Sequence, residues 1–337
     1  MSVEKVSPFN YCTQALSDIQ HYWMPAMEGY TDNGRMSVNN LRQVSYHLEK
    51  AQKFIIPNGD HLVSGGYPNR AMLQHLHMPY PVTALEYYIK EVHLSKDLFH
   101  VSPAKKRISL IFEVSPDDLM GFDHIFRDES FLNYGGWVVI PLWFETLNGI
   151  NRWTVCHSVA LLPRIQTKTP EPRFNDFGEL DAEEVKTRKL DLYISLGQLL
   201  PELVDTTIRD LGRAWYDNAA YYDCLDEILA FLAFIFAVNC SNVVPTKVNT
   251  IKDRVNRHRA EESKPPLFEY RILTVPLKES RKEYPEKDFK ASRQSPRFHF
   301  RRGHPRILHT GKSVWVVPTT VGTPEKGAVL KDYVLFM

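Results

Sequence analysis

Cysteine is scarce in this chain and scattered where it occurs. Cys12, Cys156, Cys224 and Cys240 share no C-x-x-C or other short ligand spacing. That excludes a zinc knuckle and a dense disulfide framework, and reduced thiols are the expectation. Long apolar runs are missing too. The longest, Ile228 to Val238, has eleven residues, short of the roughly 20 that a bilayer-spanning helix needs. Asp226 and Glu227 precede it and Asn239 follows, so it reads as a helix buried in a protein core. The N-terminal MSVEKVSPFNYC has no apolar stretch behind a basic patch, so no secretory signal is expected, and the expected setting is the cytoplasm with no membrane partner. There is no Walker phosphate loop, no dinucleotide fingerprint, no G-x-S-x-G, no H-E-x-x-H and no internal repeat. The motif-bearing enzyme classes are thereby excluded, and neither a cofactor nor a metal is predicted.

Net charge of one sign is also absent from the whole, with 41 Lys plus Arg against 40 Asp plus Glu, but it is present in the parts. Residues 1–165 are nearly balanced at net −2, residues 166–246 carry net −7, and residues 247–312 carry net +10. An acidic middle followed by a basic region is the strongest long-range pattern in the sequence.

Hydrophobic patterning predicts an α+β protein. Val38, Leu41, Val44, Leu48, Ala51 and Ile55 recur at helical spacing. From Pro79 the segments VTALEYYIKEV, KRISLIFEV, GWVVIPLWFET and RWTVCHSVALL have strand-like length and composition and predict an antiparallel N-terminal sheet with helices. Asn148-Gly149 between the last two suits a tight hairpin. The run QTKTPEPRFNDF, with two prolines and few aliphatics, marks a boundary near residue 166. Beyond it Asp181 can cap a helix beginning AEEV, and the acidic region to residue 246 reads as packed helices. Residues 247–337 read as a basic arm, a strand in FEYRILTVPL, a charge-rich loop, and a small C-terminal β module. The expected domains are therefore 1–165, 166–246 and 247–337.

Candidate metal ligands fail on spacing. His75 and His77 stand two apart without a third ligand, and GFDHIFRDES offers Asp123, His124, Asp128 and Glu129 without a nucleophile. The helical carboxylates Asp205, Asp210, Asp217, Asp223, Asp226 and Glu227 match no loop pattern and read as solvated faces and caps.

The densest chemistry lies in RFHFRRGHPRILHTGKSVWVVPTTVG. Arg297, Arg301, Arg302 and Arg306 supply four guanidinium groups, His299 and His304 two imidazoles, with His309, Lys312 and Trp315 close behind. Strand alternation predicts Arg297, His299 and Arg301 on one face and Phe298 and Phe300 on the other. Gly303 permits a sharp turn, and Pro305 keeps His304 extended, so that His304 and Arg306 can return toward His299. Guanidinium forks suit phosphate, and Trp315 can offer a stacking face. The cluster can bind RNA or DNA phosphates. Equally it can present a surface to an acidic host protein or to the chain's own acidic helices. A third reading makes His299 and His304 the base and acid of a metal-independent ribonuclease, with Arg301 or Arg302 stabilising the transition state. No second motif supports catalysis, so binding is the expectation.

His299, Arg301, Arg302, Gly303, His304 and Arg306, followed by Gly311-Lys312, Trp315-Val316, Val321-Gly322 and Lys331-Asp332-Tyr333, resemble the C-terminal module of an uncharacterised family found in tailed bacteriophages and other mobile elements. The segment MPYPVTALEYY also resembles an internal block of such proteins. The resemblance covers about a sixth of the chain. It implies a phage context and an accessory protein acting on host machinery or a defence system, and it implies no catalytic activity.

Overall fold

The computed structural model describes residues 6–28, 31–57, 68, 70–89, 104–122, 125, 128–147, 149–168, 192–275, 297–301, 304–316, 319–321 and 323–329. They fall into two compact units, a larger one of residues 6–235 with 247–272, and a smaller one built mainly from 236–246 and 273–337.

The larger unit begins with helix α1 (Tyr11–Asp18), which runs through a π-helical turn (Ile19–Trp23) into the short α2 (Met24–Met27). Helix α3 (Asp32–Lys50) starts where the Thr31 hydroxyl accepts the Gly34 N–H, satisfying one of the free first-turn donors. Its apolar stripe, Val38, Leu41, Val44 and Leu48, is buried. The helical periodicity in the sequence runs on to Ile55, but the helix stops at Lys50. Ala51 turns to an extended ψ of 142°, and Gln52–Ile56 becomes strand β1. Apolar residues on a short buried strand satisfy a helical spacing by coincidence.

Strands β2 (Val82–Tyr88), β3 (Lys106–Val114), β4 (Gly136–Leu147), β5 (Ile150–Val155), β6 (Ser158–Pro163), β7 (Ser195–Gln198), β8 (Val244–Lys247) and β9 (Tyr270–Thr274) join β1 in the order β7-β6-β4-β3-β2-β1-β9-β8, with β5 on β4. The pairs from β2 through β7 are antiparallel. Strand β1 instead runs parallel to both β2 and β9, which makes the sheet mixed and the chain α+β. The parallel step requires a crossover, and the connection from β1 to β2 contains α4 (Arg70–Leu73). The β4–β5 hairpin closes with Leu147 opposite Ile150 and Gly149 at φ 78°. Gly135, at φ 65°, ends α5 (Glu129–Tyr134); a Cβ there would lie 2.3 Å from the Val114 carbonyl oxygen.

Side chains alternate across a strand, and both faces of this sheet are covered. Ile108, Leu110, Phe112, Val138, Ile140 and Leu142 pack with α1 and α3 in one core. On the other face lies α7 (Arg213–Val238), reached after α6 (Pro201–Leu211). Phe231 of α7 packs on Trp137, and Phe234 on Phe54. The apolar run of α7 is therefore core, and among the described residues no helix is long and apolar enough to cross a membrane. The four cysteines are free and buried. The free edge of β5 is sealed rather than left open to pairing: the Trp153 N–H donates to Asp18 Oδ2, and its carbonyl accepts from Trp23 Nε1, both at 2.7 Å.

In the smaller unit, β10 (Arg297–Arg301) lies between β13 (Thr319–Val321) and β14 (Thr323–Val329), antiparallel to the first and parallel to the second. Strands β11 (His304–Ile307) and β12 (Ser313–Val316) form a separate antiparallel hairpin. The helix beginning AEEV, most of QTKTPEPRFNDF, the charge-rich loop before residue 297 and the terminal Lys331-Asp332-Tyr333 lie outside the described residues.

Candidate functional site

The basic stretch forms strands, as its composition predicts, but on two sheets. Arg297, His299 and Arg301 occupy β10, with His299 opposite Val321 and Arg301 opposite Thr319. His304 and Arg306 occupy β11, opposite Val316 and Val314. The two imidazoles proposed for catalysis thus belong to strands of separate sheets. Arg302 and Gly303, which link those strands, and the facing of the β10 side chains lie outside the described residues.

The β11–β12 hairpin is the better-defined half. Its turn is closed by Leu308 N–H to Lys312 O and Gly311 N–H to Leu308 O, both at 2.9 Å, with Gly311 at φ 80°. That left-handed conformation favours glycine. Arg306, His309 and Lys312 are exposed around the turn, and Ile307 is exposed between them. Among the described residues neither Arg306 nor Lys312 forms an ion pair.

The hairpin is also held firmly from its outer side. Asn242 donates through Nδ2 to the Trp315 carbonyl at 2.8 Å and accepts the Trp315 N–H at 2.6 Å, while the Ser241 N–H reaches Ser313 O at 2.9 Å. An amide side chain that matches both main-chain groups of one residue imitates a neighbouring strand. Trp315, half-buried and opposite Pro305, is fixed by this clamp. The sequence signal for it, Asn242 after a helix end, is too short to read.

A second basic element belongs to the larger unit. Helix α8 (Asp253–Glu261) has no buried residue, and Lys252, Arg254, Arg257 and His258 are exposed along it. It is tied down by main-chain clamps instead of a core. Asn256 donates to Leu267 O and accepts the Leu267 N–H, both at 2.9 Å, and Arg259 Nε donates to Pro265 O at 2.7 Å. His258 turns to Glu261 and Glu262, whereas Arg254 and Arg257 form no ion pair among the described residues.

Three buried polar groups escape sequence reasoning because a charged residue inside a strand or helix reads as a surface position. Arg107 on β3 meets Glu227 and Asp226 of α7. Burial opposes its charge, and the two carboxylates outweigh that and hold the guanidinium ionised. Glu86 on β2 accepts the Cys12 N–H and the Tyr270 hydroxyl, each at 2.7 Å. It therefore caps α1 from another element, with burial pushing its carboxyl up. Lys53 on β1 is buried, donates to Glu49 O at 2.7 Å and lies 3.6 Å from the centre of the Phe268 ring; burial brings its ammonium down to about 8. Each has protein partners that account for its place in the fold.

The helical carboxylates assemble no metal centre: among the described residues no group of three or more His, Cys, Asp or Glu could hold an ion. His77 turns to Glu113, which also pairs with Arg164, and Asp128 caps α5 while accepting from Lys168 and Tyr193. Comparison of the chain with protein-family models, with curated proteins and with solved structures finds no match.

Proposed function

We propose that this chain is a phage-encoded accessory binding protein, acting on host machinery or a defence system in the host-cell cytoplasm, whose basic C-terminal module contacts nucleic acid. The observation that carries the proposal is the β11–β12 turn, where Arg306, His309 and Lys312 stand exposed on a clamped hairpin and the two permanent cations face no described carboxylate. Exposed cations with no described counter-charge attract phosphate oxygens. Association then releases the counterions condensed on the polymer, which supplies much of the binding free energy. The net charge of +10 over residues 247–312 favours a polyanionic partner. Arg297, His299 and Arg301 of β10, with Arg302 next in sequence, would extend the contact, and the half-buried Trp315 offers part of a ring for base stacking. The phage context rests on the resemblance of the H-x-R-R-G-H-x-R core.

Fluorescence anisotropy with labelled single- and double-stranded DNA and RNA tests the proposal. Saturable binding at low salt that is lost steeply as salt rises is expected. Absence of binding to every polymer at low salt would rule the nucleic-acid reading out. The test would then pass to an acidic protein partner, sought by co-purification with the wild-type chain and with Arg306→Ala/Lys312→Ala.

A further inference from the structure

The β4–β5 hairpin of the larger unit carries a feature that the basic module does not use. Arg152 on β5 is only 5% exposed, and among the described residues its Nε and Nη1 groups have no hydrogen-bond acceptor. Two carboxylates stand nearby and neither serves it. Glu145, directly opposite in the β4–β5 register, is half-buried and forms no ion pair with it. Asp18 Oδ2 accepts the N–H of the next residue, Trp153, at 2.7 Å. The guanidinium carbon lies 3.5 Å from the centre of the Tyr22 ring instead. Tyr22 belongs to the π-helical turn and is 39% exposed, so the site is one aromatic ring from the surface.

The adjoining register pair repeats the pattern. Thr154 Oγ1 and Trp143 Nε1, from buried residues directly opposite each other, also have no partner among the described residues. Directly opposed side chains share a face, as do residues two apart on a strand, so Trp143, Glu145, Arg152 and Thr154 form one patch. It is rich in unsatisfied donors and short of acceptors that reach them.

A buried histidine or lysine can shed its proton to relieve such a position, but an arginine cannot. Among the described residues no acceptor reaches these groups, and an acceptor carried by a ligand can satisfy them. We propose that Arg152, with Thr154, Trp143 and the Tyr22 ring, forms a binding site for a small carboxylate. The planar guanidinium pairs with a carboxylate through two parallel hydrogen bonds, and the aromatic ring holds the guanidinium plane in place. Glu145, opposite Arg152 in the register, disfavours a phosphate dianion relative to a singly charged ligand, because each additional negative charge is repelled by the carboxylate on the same face. A π-helical turn stacked against the arginine fits this role, since such turns are frequent at functional sites.

Thermal unfolding of the full chain tests the site, followed by tryptophan fluorescence, with acetate as the probe, chloride at matched ionic strength as the control and inorganic phosphate as the second arm. Acetate should raise the midpoint by about 2 °C once it exceeds its dissociation constant tenfold. Chloride should not, and phosphate should do less than acetate. Arg152→Met, which keeps the apolar stem under Tyr22, should lose the acetate response. An equal response to acetate and chloride in the wild type would overturn the site, as would an undiminished acetate response in Arg152→Met. Should Arg152→Met fail to fold, Thr154→Val and Trp143→Phe carry the test, and a full acetate response in both would overturn it. Glu145→Gln separates the remaining explanation: if Glu145 serves as the counter-ion in solution, this variant loses as much stability as Arg152→Met and acetate has no effect on the wild type, which also overturns the proposal.

Discussion

Arg107 Nη1 and Glu227 Oε1 meet at 2.9 Å with both side chains shut off from solvent, joining the middle of the sheet to the helix that covers it. Breaking such a pair leaves one buried charge without its partner, which costs about 3–5 kcal/mol. Burial pushes the Glu227 carboxyl up to about 7 against the pull of Arg107. A carboxyl raised in the folded state contributes stability that is fully present below the ordinary carboxylate range and is lost as pH rises through about 7. Arg107→Met should therefore destabilise strongly, and more at pH 8 than at pH 5. In Glu227→Gln the decline in stability between those values should flatten. Urea unfolding at the two pH values measures both effects.

His47 gives a pH dependence of opposite sign. Its ring stacks on Phe112 and Phe122, and its Nε2 lies 2.9 Å from the Met120 carbonyl oxygen. Burial lowers its pKa below the ordinary 6.5, against the raising effect of that hydrogen bond. The stability linked to the neutral ring is present above 6.5 and is lost as pH falls through the lowered value. Replacing His47 by Gln, which keeps a donor for Met120 but cannot take up a proton, should lower stability at neutral pH and flatten the acid side of the curve. Denaturation midpoints between pH 4 and 7 read this out.

The Asn242 clamp predicts a local effect. Asn242→Ala removes both hydrogen bonds to the Trp315 backbone, each worth about 1 kcal/mol. Amide exchange should speed up at Trp315 and through Ser313–Val316 while the sheet of the larger unit keeps its protection. Uniform acceleration across both units would show that the clamp does not act locally.

Much of the architecture was legible in the sequence because it is local. The β-branched and aromatic segments from Val82 to Pro163 form β2 through β6, although RWTVCHSVALL, which reads as one strand, is divided between β5 and β6; Gly149 sits at the expected hairpin, and the apolar run Ile228–Val238 is the buried end of α7. The parallel partners of β1 were not legible. Tyr270 joins Lys53 across more than two hundred residues, and no local pattern records a pairing at that separation. Buried charges were hidden for a related reason: Arg107 in KRISLIFEV has the pattern of an exposed strand position until Glu227 arrives from another element. In the C-terminal module β10 and β12 were legible from their composition, whereas β14, formed over the charged and proline-bearing TPEKGAV, and the division of the strands between two sheets were not, since hydrogen-bond partners are chosen by the fold and not by the segment.

The salt dependence of nucleic-acid binding by the wild type and by Arg306→Ala/Lys312→Ala tests the central claim most directly. Each lost phosphate contact lowers the slope of log affinity against log salt by about one unit. The double variant should bind more weakly at low salt and show a slope shallower by about two units. Identical affinities and slopes in the two proteins would contradict the assignment of the β11–β12 turn as the phosphate-binding surface.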